Sequence, residues 1–202
     1  MKIRYITIER EYGSGGTRIA REASRLCGVP CYGQELLERV SRRTNLPVKA
    51  LQDYEESVSG SFLYSMYVMT QSKTGDPDLL SGEAKLYVAE TKEIRELASA
   101  GPCIFVGHCA GHALREQEGV LHVFIRASQE DKHRRITQEY GIPAQNAQTV
   151  RKSFDKKRAN YYAFCTKNKW KDPNNYDLIM DSSRLGVEGC AAVLAQLFLQ
   201  EK

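Results

Sequence analysis

The sequence predicts an α/β fold in which a parallel sheet is covered by helices on both faces. Short apolar runs rich in branched and aromatic residues recur along the chain, and each is followed by sequence of helical character. The first run opens into a glycine-rich turn that leads straight into a helix, the arrangement that α/β proteins place at the C-terminal edge of their strands.

Taken in order, Tyr5–Glu9 reads as the first strand, Arg10–Gly16 as its turn and Thr17–Leu26 as the first helix. Pro30–Tyr32 is a weaker strand, followed by a helix over Gln34–Thr44. Asn45–Gly82 breaks the alternation: it is rich in Tyr, Ser and Met, contains Pro47 and Pro77, and reads as an insertion of short helices. A long helix near Glu83–Ala98 precedes the strand Cys103–Val106, and Leu121–Ile125 is the next strand. The helix Gln129–Tyr140, a basic and aromatic stretch over Gly141–Pro173, the strand Tyr176–Met180 and the helix Val187–Leu199 complete the chain.

At 202 residues, this is one domain with insertions rather than two folds. The net charge of +4 is too mild for a dedicated nucleic-acid binder and suits a small anionic substrate. Six cysteines form no C-x-x-C pair, which points to reduced thiols and a cytoplasmic setting. No apolar run approaches the ~20 residues that cross a bilayer, so no membrane association is expected. Oligomeric state is left open.

The turn reads Y-G-S-G-G-T, and its chemistry follows from its glycines. Gly13, Ser14, Gly15 and Gly16 let the backbone curl with N–H groups pointing inward, and the helix starting near Thr17 adds its positive dipole end. The occupant expected is a polyphosphate. The phosphate-loop pattern G-x-x-x-x-G-K-[ST] falls on Arg10 to Thr17 with two defining positions changed: Arg10 stands for the first glycine and Gly16 for the lysine. A tight strand-to-helix turn without a ligand is the other reading. Phosphoryl transfer also needs cations from later in the chain. Lys132, Arg134 and Arg135 follow one strand, and Arg151, Lys152, Lys156, Lys157 and Arg158 lie in the basic stretch. Lys156–Lys171 interleaves bases with aromatics, so a nucleic-acid patch and a solvated amphipathic helix both remain open.

In order and spacing, I-E-R-E-Y-G-S-G-G-T-R-I-A, C-Y-G-Q-E-L-L, G-P-C-I-F-V-G-H-C-A, V-F-I-R-A-S-Q-E-D-K-H-R-R-I, F-D-K-K-R-A-N-Y-Y and Y-D-L-I-M-D-S-S-R-L-G-V-E resemble the cytidylate-kinase-like branch of the P-loop nucleoside monophosphate kinases. The resemblance spans nearly the whole chain. It implies a P-loop NTPase fold with a five-stranded parallel sheet, a helical acceptor-binding insertion (45–82) and a basic lid (141–171) within a single domain, 1–202. It further implies ATP as donor with Mg2+, and nucleotide substrates. Gly13, Ser14, Gly15, Gly16 and Thr17 would hold the donor phosphates, with the Thr17 hydroxyl on the metal. Arg134 and Arg135 fall where the family places cations before the lid, Arg158 matches a lid arginine, and Lys157 beside it is expected on the substrate. His108 stands where the family has a substrate-gripping arginine.

The loop's missing lysine needs a substitute. Arg10 is preferred over Arg18, which begins the helix; an ion pair of Arg10 with Glu9 or Glu11 is the alternative. Asp181 caps a turn or assists a metal-bound water, the cap being favoured. The function expected is ATP- and Mg-dependent phosphoryl transfer to a small phosphorylated acceptor such as CMP. A kinase of a non-nucleotide metabolite and a non-catalytic nucleotide-binding regulatory protein are its rivals.

Overall fold

Strand β1 (Tyr5–Arg10) is the central strand of the sheet, and its side chains alternate between two cores. The computed structural model describes residues 2–57 and 82–199. Helix α1 (Gly16–Cys27) follows the glycine turn, then β2 (Cys31–Tyr32), α2 (Gln34–Thr44) and α3 (Val48–Ser57). Helix α4 (Gly82–Ala100) leads to β3 (Cys103–Val106) and a single turn, α5 (Ala110–Ala113). The chain continues through β4 (Val120–Arg126), α6 (Gln129–Gln138), α7 (Ala144–Thr166), a 3-10 turn at Pro173–Asn175, β5 (Leu178–Asp181) and α8 (Ser182–Leu199).

The five strands are all parallel, in the order β2-β3-β1-β4-β5. Ile6 and Ile8 face α1 and α8 together with Ile104, Val106, Val123 and Ile125, all essentially sealed from solvent. Tyr5 faces the other way, where Phe105 and Cys103 meet Leu36 of α2 and Ile94 of α4. Period-two alternation on a sheet covered on both faces therefore fills two cores from one strand. This places the C-terminal ends of β1 and β3 side by side, with the glycine turn above them.

Two of the expected elements start two or more residues away from the expected position. β5 starts at Leu178 rather than Tyr176, because the Tyr176 N–H closes the 3-10 turn on the Pro173 carbonyl at 3.2 Å and is spent before pairing begins. α8 starts at Ser182 rather than Val187, with a break at Gly186 whose φ of 71° only glycine adopts readily. The acceptor-side insertion expected over 45–82 contributes α3, while 58–81 lies outside the described residues.

Candidate functional site

The turn between β1 and α1 is shaped by two left-handed glycines, Gly13 (φ 81°) and Gly15 (φ 78°). Their N–H groups find no acceptor among the described residues, although both residues are buried. Buried donors of this kind call for an external acceptor, and the N-terminus of α1 adds further N–H groups and a positive dipole end. Gly16 opens the helix. A Cβ there would lie 2.6 Å from Arg10 Cβ and 2.9 Å from Cγ, so the Arg10 stem fills the space through which a side chain at position 16 would rise. The guanidinium runs on to Gly107 at the end of β3, where a Cβ would sit 2.2 Å from Nη1. The glycine and the cation of the phosphate-loop pattern have thus exchanged ends of the loop. Among the described residues, no ion pair joins Arg10 to Glu9 or Glu11.

The loop is braced from three sides. Glu11 accepts from Lys132 Nζ at 2.7 Å and from Lys171 Nζ, and Lys132 is 1% exposed. Burial by itself would raise the Glu11 pKa; the bonds from the two lysines more than reverse this and hold it below its ordinary value. Arg135, nearly buried, donates to the Gly13 carbonyl and to Ser182 Oγ, both at 3.2 Å, and Ser182 Oγ donates to the Ser14 carbonyl at 2.6 Å. Neither Glu11 nor Ser182 stands out in the sequence. Only their distant partners reveal them.

Helix α7, the expected lid, lies directly on the loop. Phe154 stacks on Tyr12 with ring centroids 4.4 Å apart, Asp155 Oδ1 accepts from the Tyr12 N–H at 2.8 Å, and Arg158 Nη1 donates to the Arg10 carbonyl at 2.8 Å. Arg151 and Asp155 pair one helical turn apart at 3.6 Å. Burial, together with the neighbouring Arg10, brings the Arg158 pKa down to about 9. Lys157 lies 5.4 Å over the Phe154 ring.

Between the loop, α2, α3 and α7 lies a cavity of about 450 Å³. Arg10, Lys157 and Arg158 form its cationic wall; Glu9, His108 and Cys109 line the rest with polar and aromatic groups. The backbone at its floor is strained: Gly107, His108 and Cys109 are three successive left-handed residues, with φ of 80°, 56° and 50°. For the two non-glycines this costs ~1–2 kcal/mol each, a strain typical of functional sites. Beneath the floor, the fully buried Glu90 lies with Oε1 2.8 Å from His108 Nδ1 and takes the Tyr161 hydroxyl on Oε2.

The sequence-derived site residues are only partly brought together. Arg10, His108, Lys157 and Arg158 share the cavity; Gly13, Ser14, Gly15, Gly16 and Thr17 form the loop; Arg135 reaches the loop from behind. Arg134 does not reach the site: it points to solvent and binds Asp131 at 2.5 Å, because it lies on the outer face of α6. Thr17 is exposed at the first turn of α1. Arg18 points outward to Glu188 at 3.4 Å. Asp181 Oδ1 accepts from the Ser183 N–H at 3.0 Å, a local turn. In the basic-aromatic run, Tyr161, Phe164 and Trp170 are turned into the protein and so offer no stacking platform. All six cysteines are free thiols. No described helix is long and apolar enough to cross a membrane, and no described cluster of His, Cys, Asp or Glu is of metal-binding size.

A parallel five-stranded sheet with a glycine loop at the end of its central strand and a helix laid over that loop defines a P-loop kinase fold. The chain belongs to the cytidylate kinase-like family, which it matches over residues 5–184. Membership supports a phosphotransferase that binds nucleotide. An uncharacterized protein from Eubacterium ventriosum ATCC 27560 is similar in structure, with a TM-score of 0.72, 21% identity, and coverage of 99% of this chain and 100% of that one. Shikimate kinase from Bacteroides thetaiotaomicron has a TM-score of 0.52 at 15% identity, covering 97% and 98% of the two chains. Shikimate kinase from Acinetobacter baumannii, in complex with shikimate, has a TM-score of 0.50 at 14% identity, covering 98% and 93%. No curated protein sequence matches.

Proposed function

We propose that the chain transfers the γ-phosphoryl group of ATP, taken up with Mg2+, to a small anionic acceptor held in the cavity beside the glycine loop. The observation that carries this reading is the crowding of Arg10 and Arg158, with Lys157 lining the same wall, where loop and cavity meet. Buried like charges raise each other's energy, and an anion entering among them recovers it. The Gly13 and Gly15 N–H groups supply the cradle for the donor phosphates, with Ser14 and Gly16 completing the curve of the loop.

Thr17 would offer its hydroxyl to Mg2+, which would supply positive charge to the donor phosphates. Arg10 takes the part of the missing lysine, and Arg158 approaches the transferring group from α7. Both stabilise the charge that spreads towards the bridging oxygen during transfer. Arg135 acts one step removed, by fixing the carbonyl of Gly13. His108 and Lys157 hold the acceptor. Arg134, at the surface, is left with no part in the reaction beyond its local ion pair. The free thiols fit a cytoplasmic setting.

A nucleoside monophosphate such as CMP is the acceptor that family membership suggests first. A non-nucleotide acceptor is the second reading, favoured by the carboxylate of Glu9 opening on the cavity. The test is a coupled assay of ADP formation from ATP with CMP, UMP, AMP, GMP and shikimate as acceptors. Turnover with any one supports the reading; ATP binding without turnover across the panel would instead make the chain a nucleotide-binding module.

A further inference from the structure

We infer that the acceptor reacts through a hydroxyl group and that Glu9 takes the proton of that hydroxyl, an inference that rests on the phosphotransferase reading above. Glu9 stands where the central strand passes into the glycine loop, one residue before Arg10. It is half-buried, lines the cavity, and takes a 3.0 Å hydrogen bond from Trp170 Nε1 on Oε2. Trp170 is itself 2% exposed and packs edge-on against Phe124, so a rigid indole orients the carboxylate, with the charge of Arg158 close by. Among the described residues, the other acids near the loop are engaged: Glu11 is held by two lysines, Asp155 by the Tyr12 N–H and Arg151, and Glu90 is sealed beneath His108 and Tyr161. Among the described residues that line the cavity, Glu9 is the one carboxylate.

A carboxylate in this place is at odds with a phosphate nucleophile. A phosphate oxygen carries its charge already and needs no base, and a second anion beside it only repels. An alcohol differs on both counts. Its O–H bond breaks as the proton passes to Glu9; the oxygen's electron pair forms the new bond to the γ-phosphorus; the bond from that phosphorus to the β–γ bridging oxygen breaks, and its pair leaves with ADP.

The proton then has a route onward. Glu9 also lines a second, polar cavity of about 140 Å³, with Thr7, His112 and His122 on its other sides. At roughly 30 Å³ per water this holds a short chain of waters. Burial lowers the pKa of both histidines from the ordinary 6.5, helped at His112 by Arg115 and Arg95 and opposed at His122 by Asp177, so neutral rings rather than cations face these waters. The cationic wall meanwhile keeps the acceptor's own anionic group. The substrate class is therefore a small anionic alcohol.

The test uses the full chain and the variant Glu9→Gln, whose amide oxygen still accepts from Trp170. Water serves as the simplest hydroxyl acceptor, read as ATP hydrolysis without added acceptor; shikimate, ribose 5-phosphate and CMP are the added ones, with products identified by phosphorus NMR. The expected result is a phosphate monoester formed on an alcohol. Glu9→Gln should slow hydrolysis and transfer by ~10²–10⁴-fold, the usual worth of a positioned base, with ATP affinity unchanged. Full-rate hydrolysis and transfer in Glu9→Gln, or CDP as the product formed equally fast by both proteins, overturns the inference. Failure of the unaltered chain to bind ATP would instead remove the phosphotransferase reading, an outcome that direct titration separates from the other two.

Discussion

Exchanging residues 10 and 16 tests how this loop works without its lysine. Arg10→Gly removes the cation from the junction of loop and cavity. Loss of one positioned donor at a developing charge costs on the order of 3 kcal/mol, or ~100-fold in turnover. Gly16→Lys on its own drives a new Cβ to 2.6 Å from Arg10 Cβ and 2.9 Å from Cγ. Carbon atoms rest at about 3.5–4.0 Å, so loop or strand must shift, at ~1–3 kcal/mol for overpacking of this kind. Displaced N–H donors then lower turnover by another ~100-fold. Independent effects would multiply to ~10⁴-fold in the double variant. In the structure, however, the two positions share one volume: with Arg10 reduced to glycine the clash vanishes, and the introduced lysine rises from the helix N-terminus towards the donor phosphates. The double variant should therefore recover to within ~10-fold of the unaltered protein, a coupling of about 4 kcal/mol. The assay is the ADP-coupled kcat with the best acceptor found, with circular dichroism as the check of folding. A double variant as poor as the product of the singles would refute the exchange of cation and glycine.

Gly15→Val should abolish nucleotide binding while the protein stays folded: φ is 78°, a region that costs a branched residue ~1–3 kcal/mol, and the side chain crowds the phosphate path; unchanged ATP affinity by calorimetry would count against the cradle. Arg158→Met should leave the ligand-free melting temperature unchanged or higher, because the folded pKa of about 9 lies below the ordinary 12.5 and so the charged form costs stability at pH 7, a cost relieved only as pH rises through 9. The same variant should lose most of the melting-temperature gain given by Mg-ATP, and a full gain would exclude Arg158 from the phosphates. Glu11→Gln should destabilise the protein at pH 7 in urea titrations, with the difference from the unaltered chain shrinking as pH falls below 4.5: a folded pKa below the unfolded one gives stability at higher pH that is lost on protonation. A difference that persists undiminished at pH 3 would mean that the lysine pairs at Glu11 do not supply it.

Whatever depends on near neighbours along the chain is legible without a structure. Cys103–Val106 announces itself as a strand because a sheet buried on both faces asks for uninterrupted apolar residues, and Tyr5–Arg10 does so through its aromatic and branched residues Tyr5, Ile6, Thr7 and Ile8. Gly13, Gly15 and Gly16 announce the loop because left-handed turns and close approaches leave few other residues possible. The helices α2 and α4 are likewise readable from their spacing. Packing in three dimensions alone settles which distant side chain fills or neutralises each place that the backbone creates. Arg10 lying across Gly16 and reaching Gly107, Lys132 and Lys171 meeting on Glu11 from 121 and 160 residues away, and Glu90 rising under His108 have no local signature. Arg134 and Arg135 make the same point in one step of the chain: neighbours of identical chemistry part company, one to solvent and one to the loop, because about 100° of helical turn separates them and only the packing of α6 says which face is inside.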